Sequence, residues 1–314
     1  MYGNSQRLFF DFNTILNPPS GLGITTILAI GFILGMLHGI TPDEHTWPIT
    51  FSYSVGSYST RGGMKSGFMF SAGFTAQRAV LSVLGFLGLA TIYRTYNLDG
   101  PVYVLVGLVM FVAGSYILKG RYLHLPLDRL FGSKAEHHSN QAERLPLHET
   151  EVKSVPLRMA ALHGLVAGWG FGAYATIITF ILAPQMPNIF FALLPGLMFG
   201  LGTMSMQVIV GAIFSNIMRI KKLTTDQLKY IGRSAAARTL YLGGLAFAVA
   251  GALIWAFPRL NQLSLNTGNP IPNLDSIGIA TFLVIFVVGL VGFGSIYKVY
   301  REVKNSAPEL APKA

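Results

Sequence analysis

Long apolar runs, nearly free of charge, constrain this chain more than any other feature of its sequence. About 20 apolar residues are enough for a helix to cross the hydrocarbon core of a bilayer. Only 11% of the residues are charged, whereas a soluble domain carries about 25%. We therefore predict an all-α, polytopic membrane protein with about seven transmembrane helices. The runs are residues 22–41, 67–93, 101–118, 157–183, 189–217, 238–257 and 276–297.

The basic residues indicate an orientation in the membrane and not a nucleic-acid surface. The net charge is +10, but Lys and Arg lie mainly in connections between apolar runs. Connections rich in Lys and Arg stay in the cytoplasm. This pattern predicts an inner (cytoplasmic) cell membrane protein with its N-terminus outside and its C-terminus in the cytoplasm. The absence of cysteine excludes disulfides and thiolate metal sites.

A repeated pattern within the sequence predicts that the chain has two related halves. Leu37-His38-Gly39 recurs as Leu162-His163-Gly164, and residues 70–78 parallel residues 199–207. Three helices in each half would invert the second half relative to the first, and inverted repeats of transporters place the binding site at their interface. The predicted units are a first transmembrane half at 1–118, a polar cytoplasmic linker at 119–156, a second transmembrane half at 157–257, and an extra C-terminal helix with its tail at 258–314.

The segment that follows the first apolar run concentrates ionisable residues: His38, Asp43, Glu44 and His45. Such groups are costly inside a membrane and so suggest a functional site. An architectural explanation is also open. Thr41 could cap a new helix, with Pro42 in its first position and Glu44 at the third position of a capping box. Acidic residues in a first turn are stabilised by the helix dipole without any ligand.

The functional interpretation requires a break in the helix at Gly39 and Pro42. On an unbroken helix His38 and His45 would lie about 10 Å apart, too far to share an ion. A break could bring His38, Asp43 and His45 around one point, with Glu44 as a further ligand or a proton relay. Imidazole and carboxylate together suit Ni²⁺, Co²⁺ or Zn²⁺. By the repeat, His163 would approach from the second half.

Three polar residues inside the runs are candidates for the substrate path or for charge partners: Gln77, Arg78 and Gln207. An ion pair with Asp43 or Glu44 would avoid leaving Arg78 as an unpaired charge in the membrane. Alternatively, the guanidinium could receive an oxyanion such as sulfite or a carboxylate. The role of Arg78 therefore best distinguishes a transporter of metal ions from a transporter of anions.

The motif resembles the His-x4-Asp-His signature of nickel/cobalt transporters, in particular their efflux-permease branch. Relatives of that branch include urease-accessory membrane proteins and sulfite or amino-acid exporters. His38 and Asp43 occupy the first two signature positions, with Pro42 before the aspartate. Glu44 displaces the final histidine by one position, and Phe74-Thr75 stands where the second helix would carry a histidine. The resemblance implies a secondary transporter of Ni²⁺ or Co²⁺ as substrate, without a cofactor.

Two other functions stay open: an exporter of a small anion or organic solute such as sulfite, and a non-transporting accessory protein for metalloenzyme maturation. We expect no enzyme, because the sequence has no Walker, His-Glu-x-x-His or Gly-x-Ser-x-Gly motif. The expected partners are the lipid bilayer and the divalent metal ion, with no nucleic acid. A homo-oligomer is compatible with the sequence.

Overall fold

The computed structural model describes residues 12–119, 155–219 and 223–306, and these residues are mostly helical. One short antiparallel pair of strands, β1 (Leu265–Asn266) and β2 (Ser276–Ile277), lies between the last two helices. The helices are α1 (Phe12–Leu16), α2 (Ile24–Ile40), α3 (Trp47–Gly56), α4 (Thr60–Phe86), α5 (Thr91–Thr95), α6 (Asp99–Leu118), α7 (Leu157–Ala167), α8 (Ala173–Gln185), α9 (Ile189–Asn216), α10 (Thr225–Ala256) and α11 (Ile279–Asn305).

The prediction of an all-α membrane protein is confirmed in its general form. Helices α6, α9, α10 and α11 are long and apolar enough to cross a membrane, and α2, α7 and α8 are shorter apolar helices. The number of spans and the inverted repeat stay predictions. The predicted linker at 119–156 falls almost entirely on residues 120–154, which lie outside the described part of the chain.

Two helices begin earlier than the apolar runs indicated, because their first turns are polar but well capped. Helix α10 begins at Thr225, where Thr224 and Gln227 form a capping box. Helix α4 begins at Thr60, where the Ser59 side chain accepts a hydrogen bond from the Gly62 amide. Satisfied end amides stabilise a helix start independently of hydropathy, so a search for apolar runs places both starts too late.

Two pairs of consecutive helices are separated by short non-helical breaks. The first break, residues 41–46, separates α2 from α3, and the second, residues 168–172, separates α7 from α8. The alternative of a new helix capped by Thr41 is wrong, because the next helix begins at Trp47. Asp43 instead forms a local turn in which its Oδ1 accepts the His45 amide at 2.9 Å. Short polar side chains often satisfy the backbone of a turn in this way.

Helices α4 and α9 pack against each other with their backbones almost in contact. A Cβ atom at Gly63 would lie 2.2 Å from the Gly211 carbonyl oxygen, and one at Gly196 would lie 2.1 Å from the Arg78 carbonyl oxygen. Small residues permit such close approach between membrane helices. Helix α2 packs on α9, α7 packs on α4, and α6 packs on α10. The α4–α9 pair is therefore the frame against which both broken segments lie.

Candidate functional site

The two breaks touch each other, and the ionisable residues lie where they meet. A Cβ atom at Gly170, in the second break, would lie 2.7 Å from ring atoms of His45, in the first break. The Gly170 carbonyl oxygen accepts a hydrogen bond from Arg78 Nη2 of α4 at 2.9 Å. The break predicted near Gly39 and Pro42 is thus present, and a second break from the other half of the chain lies beside it.

Asp43, Glu44 and His45 form a compact group of potential metal ligands. Each offers one ligand atom, and these atoms all lie within 4.8 Å of one another. The Nδ1 atom of His45 lies 3.0 Å from Glu44 Oε1, and the Nδ1 atom of His38 lies 3.6 Å from Asp43 Oδ2. His38, Asp43 and His45 are 5%, 4% and 5% exposed. The group therefore contains three of the five predicted ligands, and a fourth, His38, lies beside Asp43.

The fifth predicted ligand, His163, lies in a different environment. Its Nδ1 atom lies 2.9 Å from the hydroxyl oxygen of Tyr53 and 2.8 Å from the Met159 carbonyl oxygen. It does not belong to the group formed by Asp43, Glu44 and His45. The Nδ1 contacts with its own helix and with α3 place His163 outside that group, and its buried Nε2 has no partner among the described residues.

Neutral donors hold the two carboxylates in place. Tyr103 of α6 donates its hydroxyl hydrogen to Glu44 Oε1 at 2.8 Å, and its ring meets the edge of the His45 ring at 4.8 Å between centroids. Asn273, between α10 and α11, donates through Nδ2 to Asp43 Oδ2 at 3.3 Å. Sequence reasoning missed both residues as parts of the site. Neither carries a charge or a motif that would single it out.

Several buried nitrogen atoms at the site have no hydrogen-bond partner among the described residues. They include Nε2 of His38, Nε2 of His45, and Nε and Nη1 of Arg78. Buried polar atoms almost always find a partner. The His38 ring is fixed against Phe74 and Phe199, with centroids 5.4 and 5.2 Å away. The unpartnered nitrogens are therefore held in defined positions where a bound ligand could satisfy them.

The predicted ion pair of Arg78 is not formed: within the described residues no carboxylate lies at ion-pair distance from its guanidinium. Arg78 is only 4% exposed. Besides its bond to Gly170, its guanidinium carbon lies 4.6 Å from the centroid of the Phe74 ring. A cation over an aromatic face recovers part of the lost hydration. Arg78 is a buried cation beside the carboxylate group rather than a partner within it.

The two predicted glutamines have different roles. Gln207 of α9 donates through Nε2 to the Gly39 carbonyl oxygen at 2.8 Å and accepts from Thr50 Oγ1 at 2.6 Å. It thereby joins the end of α2 to α3 across the first break. Gln77 lies beside Gly168 of the second break, and neither of its side-chain polar atoms has a partner among the described residues.

Comparison of the chain with protein-family models, with curated proteins and with solved structures found no match. The function is therefore inferred from the geometry of the site.

Proposed function

We propose that the protein is a secondary transporter of a divalent transition-metal cation, with Ni²⁺ or Co²⁺ as substrate. The observation that carries the proposal is the buried group of Asp43, Glu44 and His45, whose ligand atoms lie within 4.8 Å of one another. Two carboxylates balance the charge of a divalent cation. Mixed imidazole and carboxylate ligands favour borderline metals over Mg²⁺ or Ca²⁺.

Within this site the histidines and carboxylates would have separate roles. The Nε2 atoms of His38 and His45 have no hydrogen-bond partner in the described structure and are suited to bind metal. Their Nδ1 atoms face Asp43 and Glu44 at 3.6 and 3.0 Å. A carboxylate on the opposite ring nitrogen orients a metal-binding imidazole and makes it more basic. Glu44 and Asp43 thus support the histidines and can also ligate the ion.

The architecture supports transport. Irregular backbone at membrane depth is tolerated where it is buried in protein or lines a cavity, and transporters place ion sites at such breaks. We propose a 3+3 inverted repeat: one half contains α2–α3, α4 and α6, the other contains α7–α8, α9 and α10, and α11 lies outside it. The packing of α2 on α9 mirrors that of α7 on α4. The proposed location is the inner membrane, with the C-terminus in the cytoplasm.

One observation favours a second candidate, an exporter of a small anion such as sulfite. Arg78 is buried, and among the described residues it has no carboxylate partner and its Nε and Nη1 atoms have no hydrogen-bond partner. A guanidinium fork matches the geometry of an oxyanion. A cation site beside this charge is less favourable than one without it, so the role of Arg78 decides between the two candidates.

A flux assay in proteoliposomes tests the proposal. The native protein should carry Ni²⁺ or Co²⁺, and Asp43→Asn should reduce the flux at least tenfold. Asp226→Asn, which alters an exposed carboxylate near Lys229, should leave it unchanged. Arg78→Gln should retain metal flux. Native metal flux that survives Asp43→Asn would overturn the proposal, and sulfite flux that is abolished by Arg78→Gln would establish the second candidate.

A further inference from the structure

The connection between α10 and α11 covers the site by touching both broken segments. We call residues 258–278 the connecting loop. Asn273 in this loop donates through Nδ2 to Asp43 Oδ2 at 3.3 Å and to Thr41 Oγ1 at 3.4 Å, both in the first break. The neighbouring Pro272 carbonyl oxygen accepts the Tyr174 hydroxyl of α8 at 3.1 Å, just after the second break. One short stretch thus links the two breaks.

The connecting loop is internally hydrogen-bonded, so its tip keeps its shape. Strands β1 and β2 pair, and the Thr267 amide donates to the Asp275 carbonyl oxygen at 2.8 Å. The Leu274 amide donates to the Ile271 carbonyl oxygen at 3.0 Å. Asn273 itself has a positive φ of 68°, a conformation that asparagine adopts more readily than most residues. The tip is therefore preorganised to present the Asn273 side chain.

Asn273 bonds to an oxygen that a substrate cation would also bind. Its Nδ2 atom lies 3.3 Å from Asp43 Oδ2 and 3.4 Å from Thr41 Oγ1. The acceptor, Asp43 Oδ2, is also the oxygen nearest to His38 Nδ1. A cation that binds this oxygen competes with the asparagine amide. Because that amide is neutral, it covers the carboxylate without the ion pair that a lysine would form.

We propose that the connecting loop is a gate over the site and that Asn273 is its latch, closed on Asp43 and Thr41. Opening would release Asp43 Oδ2 and detach Pro272 from Tyr174, which exposes both breaks together. The identity of the substrate admitted by the gate rests on the proposed function. Closure of the site by Asn273 does not depend on the proposed function.

Cysteine accessibility tests the gate, because the chain has no native cysteine. Thr46→Cys places one thiol in the first break, at a residue that is 0% exposed. A charged thiosulfonate reagent is applied to this variant in lipid nanodiscs. Adding Asn273→Ala should speed labelling at least tenfold. The matched control, Asn261→Ala, changes an asparagine of the same loop that donates to Asp99 Oδ2 at 3.2 Å rather than to either break, and should leave the rate unchanged.

A second variant guards against misfolding. Asn273→Asp keeps the size of the side chain but replaces a donor with a carboxylate facing Asp43, so repulsion should open the gate and also speed labelling. Equal labelling rates for native Asn273, Asn273→Ala and Asn273→Asp would overturn the gate. The assay contains no metal, so failure of metal transport would refute the proposed function and leave this result standing. Unchanged labelling in a protein that carries metal would refute the gate alone.

Discussion

Gly170→Ala tests whether contact between the two breaks holds the site together. The added Cβ atom would lie 2.7 Å from three atoms of the His45 ring, whereas carbon atoms in ordinary contact lie about 3.5–4.0 Å apart. The ring must therefore move by about 1 Å, since overlap of this size is not tolerated in a close-packed interior. The same ring is held by Glu44 at 3.0 Å and by Tyr103 at 4.8 Å between centroids, so the movement breaks a contact that orients the imidazole.

The expected cost follows from these contacts. Overpacking of a buried site destabilises a protein by about 1–3 kcal/mol, and loss of an orienting partner lowers metal affinity about 10–100-fold. Calorimetric titration of the purified protein with Co²⁺ should show the loss of affinity, and thermal unfolding should show a lower midpoint. Gly172→Ala is the matched control, because a Cβ there meets nothing within 4 Å. If both variants bind Co²⁺ with native affinity, the contact between the breaks does not shape the site.

Two further substitutions separate ligand support from helix packing. Tyr103→Phe removes the hydrogen bond to Glu44 Oε1 but keeps the ring, so Co²⁺ affinity should fall about tenfold with little change in thermal unfolding; an unchanged affinity would show that Glu44 needs no support. Gly63→Ala pushes α4 away from the Gly211 carbonyl oxygen, 2.2 Å from the added Cβ, and should lower stability by at least about 1–3 kcal/mol. Gly289→Ala, whose added Cβ meets no described atom within 4 Å, should leave the stability unchanged. Equal thermal midpoints for the two variants would contradict the close packing of α4 on α9.

The long apolar helices and the first break could be predicted because their causes are local. Apolar runs of spanning length mark helices, and Gly39 followed by Pro42 marks a place where a helix is easily interrupted. The local structure of residues 41–46 could not be predicted from the sequence in the same way. Thr41, Pro42 and Glu44 fit a capping box in sequence, but Glu44 instead accepts the Tyr103 hydroxyl of α6. A tertiary contact overrode the local preference.

The rest of the site depends on contacts between residues far apart in the chain. Gly170 touches His45 across two different halves, and Asn273 reaches Asp43 from a loop over 200 positions away. Neither residue has a charge or a spacing that marks it. His163 shows the converse, because it shares the Leu-His-Gly pattern of His38 yet bonds to Tyr53 and its own helix. A shared sequence pattern therefore does not give the two histidines the same chemical surroundings.

In the proposed transporter, Asp43, Glu44 and His45, with His38 beside them, would hold one divalent transition-metal ion. The most direct test is the visible absorption spectrum of Co²⁺ added to the purified protein in nanodiscs, since its intensity and position report the ligands. We expect one bound Co²⁺ per chain with nitrogen and oxygen ligands, and loss of that spectrum in both His45→Ala and Asp43→Asn. A native protein that binds no Co²⁺, or variants with an unchanged spectrum and stoichiometry, would contradict it.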